Sequence, residues 1–160
     1  MANVNDKYAI RMMKADDYEQ AFALWNGLEG LGLSEADSPE RIARFLQRNE
    51  GLSFVCEYEG SLIGTIMAGH DSRRGFLYHL GVAAAHRGQG IAPLLVNEAL
   101  SALLREGIDK CHLFVMEHNE AGQCFWSANG WEKRDGILLY SRGLDSRGLY
   151  SKGLDSSELE

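Results

Sequence analysis

No stretch of this sequence is apolar for long enough to cross a bilayer. Its longest apolar runs, such as Leu62 to Ala68, fall far short of the roughly 20 residues that a spanning helix needs. Cysteine is scarce: Cys56, Cys111 and Cys124 are odd in number, widely spaced and set among apolar neighbours. That pattern argues against a disulfide framework and reads as reduced, buried thiols. Basic residues are outnumbered, 16 against 23 acidic ones, for a formal net charge of -7. Nucleic acid is therefore a poor main partner, because neutralising phosphates takes a basic face. A cationic or neutral substrate fits better. The opening Met-Ala-Asn-Val-Asn-Asp has neither the basic start nor the apolar run of a secretory signal, so the expected location is the cytoplasm. No set of His, Cys or carboxylate residues has metal-ligand spacing. Cys111 and His112, adjacent on an expected strand, point to opposite faces.

What is present suits one domain, because 160 residues can bury a core without disulfides or metal. Tyr8 to Met12 reads as a strand, and Asp16 with Glu19 as a capping-box-like helix start. Ala21, Phe22, Trp25 and Leu28 then recur at helical spacing. Glu29 to Asp37 is an acidic loop, after which Ser38-Pro39 opens a second helix with Ile42, Phe45 and Leu46 on one face. Ser53 to Tyr58 and Leu62 to Gly69 form a hairpin about Glu59-Gly60, and Phe76 to Val82 is a third consecutive strand. A helix from about Ala92 to Arg105 buries Ile91, Leu94, Leu95, Ala99 and Leu103. Cys111 to Met116 is the next strand, and Asn119 caps a helix that Gly130 ends in a left-handed conformation. Trp131 to Lys133 and Ile137 to Ser141 read as a closing hairpin. From residue 145 on, near-copies of a Ser-Arg-Gly-Leu-Asp unit read as a low-complexity tail, since a period of five fits neither helix nor strand.

One loop carries the chemistry. A diphosphate is best held by backbone N–H groups converging on a helix N-terminus, where the helix dipole adds positive potential. Arg87-Gly88-Gln89-Gly90-Ile91-Ala92 supplies the small residues for that approach, Pro93 presets the first helical turn, and His86 and Arg87 add local positive charge. The third glycine of a dinucleotide fingerprint is missing, as is the Gly-Lys-Ser/Thr ending of a triphosphate loop.

Here the chain resembles the GNAT family of N-acetyltransferases, and is similar to its small bacterial YpeA-like and RimI-like members. The family's pyrophosphate motif is Arg or Gln, two residues, Gly, one residue, then Gly or Ala, and Arg87, Gly90 and Ala92 satisfy it. Leu80-Gly81-Val82 looks like the end of the family's central strand. A second motif, Asn-x-x-Ala-x-x-Phe-Tyr-x-x-x-Gly-Phe, is matched by Asn119 to Trp131, with Phe125 and Trp126 at the aromatic pair. The resemblance covers residues 8 to 144. It implies an α/β (α+β) fold with a central mixed, mostly antiparallel, twisted sheet of six to seven strands and about four helices. It also implies acetyl-CoA as cosubstrate, bound by Leu80, Gly81, Val82, the loop from Arg87 to Ala92, Asn119, Phe125 and Trp126. Acetyl would pass directly to a primary amine of a small molecule or a protein, with the Val82 N–H meeting the developing oxyanion. Closing strands of this fold often form dimer edges, so the resemblance admits a homodimer.

The sequence departs from the family at the catalytic acid. Where many members carry a tyrosine that protonates the departing thiolate, this chain has Trp126, whose indole N–H donates a hydrogen bond but no proton. Tyr78, Tyr140 or a water could substitute. By strict alternation Phe76, Tyr78 and Leu80 share one face and Leu77 and His79 the other, and the family's parity implies that Tyr78 points to the substrate and His79 away; His79, Glu57 and Glu117 are candidates for the base, and His70 with Asp71 could pair at a turn. Glu29, Glu35 and Asp37 would favour a cationic amine, with Trp25 and Leu31 or Leu33 as an apolar wall. Cys124 lies near the expected thioester end. The alternative reading is a non-catalytic acyl-CoA-binding sensor or assembly module, in which Trp126 marks chemistry no longer needed.

Overall fold

The computed structural model describes residues 6–145 and places five strands in one sheet, in the order of the sequence. These are β1 (Tyr8–Met12), β2 (Phe54–Tyr58), β3 (Ser61–His70), β4 (Gly75–Val82) and β5 (Cys111–Leu113). The first four pair antiparallel and β5 joins β4 in parallel. A parallel neighbour needs a crossover, here helix α3 (Ile91–Arg105). The sheet's other face carries α1 (Tyr18–Asn26) and α2 (Pro39–Arg48), and α4 (Glu120–Ala128) follows β5. No helix among the described residues is long and apolar enough to cross a membrane.

Local chemistry explains the helix ends. Ser38 Oγ accepts the Arg41 N–H with Pro39 in the first turn of α2. Asn119 Oδ1 accepts the Gly122 N–H at the start of α4, and Gly130 ends it at φ 86°, with Gly130 and Trp131 N–H bonding to the Ser127 and Trp126 carbonyls. The first helix is entered differently from the expected Asp16 box. Asp17, not Asp16, accepts the Lys14 N–H, and a short 3-10 turn over Ala15–Asp17 precedes α1.

Two layers of core flank the sheet. Tyr8, Ile10, Phe54, Ile66 and Leu77 pack against Ile91, Leu95, Ala99 and Leu103 of α3. On the opposite face Val55, Leu62 and Met67 pack against Ala21 and Trp25 of α1 and Ile42 of α2. Arg11 ties this architecture at its edge, donating to Asp17 at 2.7 Å and to Glu57 at 2.8 Å. Burial works against ionisation of Asp17, but the hydrogen bonds from Arg11 and from the Lys14 backbone outweigh it and hold the carboxyl below its ordinary value. A depressed native pKa contributes stability that is whole above about pH 4 and is lost as the pH falls through the folded value. Asp17→Asn should therefore be less stable than the parent at pH 7, and the gap should close in acid; urea melts at the two pH values check it.

The sheet has five strands rather than six or seven, and the closing hairpin does not form among the described residues. The Trp131 N–H is spent closing α4, so that residue does not enter the sheet. Glu132 to Asp135 are exposed charges, and Ile137 to Tyr140, a continuous apolar run without strand alternation, find no surface to bury on, being 67% to 87% exposed. β5 is likewise shorter than Cys111 to Met116, because β4 leaves its side after Leu77 pairs with Leu113. Of the three thiols only Cys56 is buried; Cys111 is intermediate and Cys124 exposed. The repeat tail beyond Asp145 lies outside the described residues.

Candidate active site

The site begins where β4 departs from regular pairing. Met67 pairs with Tyr78 and Thr65 with Gly81, so Ile66 alone on β3 spans His79 and Leu80 on β4. This is a β-bulge, which re-aims side chains. His79 takes φ 49° within it, a left-handed conformation that His enters more readily than most non-glycine residues. Strict alternation therefore fails here. Tyr78 meets Phe45 of α2 and His79 meets Trp25 of α1, with ring centroids 5.9 and 4.7 Å apart, so both side chains point to the α1/α2 side. Leu80 packs with the α3 layer instead.

Two hydrogen bonds hold His79 in place, and a third braces one of them. Its Nε2 lies 2.5 Å from Asp37 Oδ1, its carbonyl accepts the Thr65 hydroxyl at 2.8 Å, and that hydroxyl oxygen in turn accepts the Trp25 Nε1–H at 2.8 Å. Asp37 is buried, and its second oxygen accepts the Ser34 N–H. With Nε2–H directed at a carboxylate, Nδ1 is the nitrogen left to accept a proton. Among the described residues no buried side-chain nitrogen or oxygen lacks a partner, and Nδ1 has none, so it meets solvent. Nothing in the sequence alone signals this pair: Asp37 sits in an acidic loop 42 residues away, and the bulge that turns His79 toward it is a property of the ladder.

His79 opens onto a cleft of about 810 Å³ between the diverging ends of β4 and β5. Leu80, Gly81, Val82, Asn119, Phe125, Trp126 and the loop residues Arg87, Gly88, Gly90, Ile91 and Ala92 line it together with Tyr78; the exposed Gln89 does not. The Ala83 N–H bonds across to Ile63 of β3, so alternation of backbone groups turns the N–H and C=O of Val82 the other way, toward the cleft. Arg87 Nε donates to that Val82 carbonyl at 3.3 Å, fastening the loop to the strand end. Gly88 and Gly90 have φ of 76° and 77°, and a Cβ at either would touch nothing in the protein. Conformation, not protein crowding, is what demands glycine here. The open side is where an anion can reach the N–H groups at the start of α3. Across the cleft the loop after α1 closes down: a Cβ on Gly30 would lie 2.8 Å from Asn119 Nδ2.

The remaining candidates scatter. Trp126 is partly buried between Phe125 and Trp131, with centroids 5.0 and 5.1 Å away. Tyr140 is 87% exposed and, like Cys124, Glu57, Glu117 and Glu35, lies off the cleft. Glu57 is engaged by Arg11; His70 bonds Glu106, not Asp71, whose carboxylate accepts the Arg73 and Arg74 N–H groups. Trp25 is fully buried beneath β3, not a cleft wall; Leu31 and Glu29 do line the cleft. Burial raises the Tyr78 pKa, with Cys111 adding to the effect, so its hydroxyl keeps its proton at neutral pH.

The fold, a sheet splayed over a helix N-terminus, is shared with solved acetyltransferases. The chain matches an aminoglycoside N-acetyltransferase solved with CoA at TM-score 0.69, with 18% identity over 89% of this chain and 99% of that one. It matches an aminoglycoside acetyltransferase from an uncultured soil metagenomic sample, solved with sisomicin, at TM-score 0.70, with 14% identity over 89% of this chain and 100% of that one. Residues 16–131 match the model of the acetyltransferase (GNAT) family. An acetyltransferase of Pectobacterium atrosepticum is 34% identical over 139 residues, 86% of this chain and 97% of the relative. The chain belongs to the GNAT family and is an acetyltransferase.

Proposed function

We propose that this enzyme moves acetyl from acetyl-CoA directly to a primary amine in a ternary complex, with His79, paired to Asp37, as the general base. One observation carries the reading: a glycine loop at the head of α3 and a hydrogen-bonded His–Asp pair at the β4 bulge open onto a single cleft. When bound, acetyl-CoA supplies an activated thioester. The loop from Arg87 to Ala92 grips the pyrophosphate through backbone N–H groups and the helix dipole. The Val82 N–H, turned into the cleft, donates to the oxygen on which charge develops as the amine attacks. His79 Nδ1 takes the amine proton, and the Asp37 carboxylate fixes the tautomer and steadies the imidazolium that forms. Tyr78, protonated and on the cleft wall, is the side chain suited to hand a proton to the departing thiolate. Trp126 packs against the cosubstrate and holds shape, not protons.

Calorimetric titration with acetyl-CoA, followed by release of free CoA thiol against an amine panel, tests this reading. Arg87→Ala should weaken acetyl-CoA binding about ten- to a hundredfold, the worth of a charge-assisted hydrogen bond. Binding without turnover on any acceptor would instead favour a sensor. Unchanged affinity in the Arg87 variant would remove the pyrophosphate assignment.

A further inference from the structure

We infer that the acceptor is a monoamine carrying an aromatic ring, and that Phe114, at the exposed end of a stacked row with Phe76 and Tyr78, receives that ring. The inference rests on the amine-transfer reading above and narrows its substrate class. Before the bulge, ordinary strand alternation sets Phe76 beside Tyr78 on the α1/α2 side of the sheet, and a row of rings runs along it. Phe76 and Tyr78 stack at 18° with centroids 6.4 Å apart, and Phe76 and Phe114 at 24° with centroids 6.0 Å apart. His112, opposite Phe76 across the β4–β5 pair, completes the row, and Phe45 of α2 closes its inner end on Tyr78. The outer end is open: Phe114 is 62% and Met116 52% exposed.

Two features commit this surface to a substrate ring. It is continuous with the catalytic cleft, because Tyr78, Phe114 and Met116 line the same space as His79 and Val82. It lies on the α1/α2 side of the sheet, whereas the pyrophosphate loop leads into α3 on the opposite side. A body resting against Phe114 therefore approaches the thioester from the face that His79 serves. Charge then limits the number of amines. Glu29 is the only carboxylate lining the cleft among the described residues, and Asp37 is already taken by His79. A polycationic acceptor would leave most of its charges without partners in such a site, while a single ammonium needs only one. An aromatic body gains from offset stacking and sulfur contact with Met116.

The test measures kcat/KM for 2-phenylethylamine, butylamine and sisomicin with saturating acetyl-CoA. Phenylethylamine should exceed the other two by about tenfold or more, the scale of one added ring contact. Phe114→Ala should raise its KM about tenfold, leave the KM for butylamine and for acetyl-CoA unchanged, and be rescued by Phe114→Tyr. Because Phe114 is more than half exposed, neither change threatens the fold. Equal or better use of butylamine or sisomicin would overturn the aromatic acceptor while leaving amine transfer standing. Failure to acetylate any amine would overturn both. A dimer in light scattering that Phe114→Ala dissociates would also overturn the inference, since Phe114 would then be covered by a second copy.

Discussion

Replacing His79 with asparagine should lower kcat by about a hundred- to ten-thousandfold, the usual worth of a positioned base, and leave acetyl-CoA affinity unchanged. Asparagine is the informative choice because His79 holds φ 49°, and asparagine tolerates that region where alanine strains it. The bulge should therefore persist while the proton acceptor is lost. Asp37→Asn should have a smaller effect, because the imidazole remains but loses the carboxylate that orients Nε2 and stabilises its charged form. Since the two act as one unit, the double variant should be no slower than His79→Asn alone. Steady-state rates of CoA thiol release, with calorimetric acetyl-CoA affinities for each variant, provide the check. Full kcat in His79→Asn, or multiplicative losses in the double variant, would remove the pair from the mechanism.

What could be read from the sequence divides along a physical line. Features set by neighbours in the chain were legible: Ser38-Pro39 starts α2, Asn119 and Gly130 bracket α4, and the loop from Arg87 to Ala92 leads into α3. Each depends on hydrogen bonds or dihedral limits spanning a few residues. The orientation of His79 depends instead on which β3 residue faces which β4 residue. Strand periodicity carries no information about a bulge, and a one-residue slip exchanges the two faces. The same limit explains Glu57, plausible as a base by its place near a strand end, yet committed to Arg11 across the β1–β2 pair. The closing hairpin failed for a related reason. Ile137 to Tyr140 have the composition of a strand, but a strand exists only where a ladder partner and a surface to bury meet it.

Trp25→Ala should be the most destabilising of these changes, costing about 3–5 kcal/mol, because deleting a fully buried indole leaves a cavity that its surroundings fill only in part. Against the roughly 5–15 kcal/mol that holds a domain together, that loss should bring the urea midpoint down sharply. The indole also has a polar role. Its Nε1–H goes to Thr65 Oγ1, and that hydroxyl donates to the His79 carbonyl, so one buried chain joins the α1 core to the bulge. Thr65→Val isolates the polar contribution, because the shape is nearly kept while the indole N–H is stranded and the His79 carbonyl is released. It should cost about 1–3 kcal/mol, the penalty for an unsatisfied buried donor. Trp25→Phe combined with Thr65→Val removes donor and acceptor together, so the pair should cost less than the sum of the single changes. If the chain holds His79 toward the cleft, Thr65→Val should also lower kcat with acetyl-CoA affinity intact. A Thr65→Val enzyme with the parental midpoint and the parental kcat would reduce the Trp25–Thr65 contact to ordinary packing and leave Asp37 alone to orient the histidine.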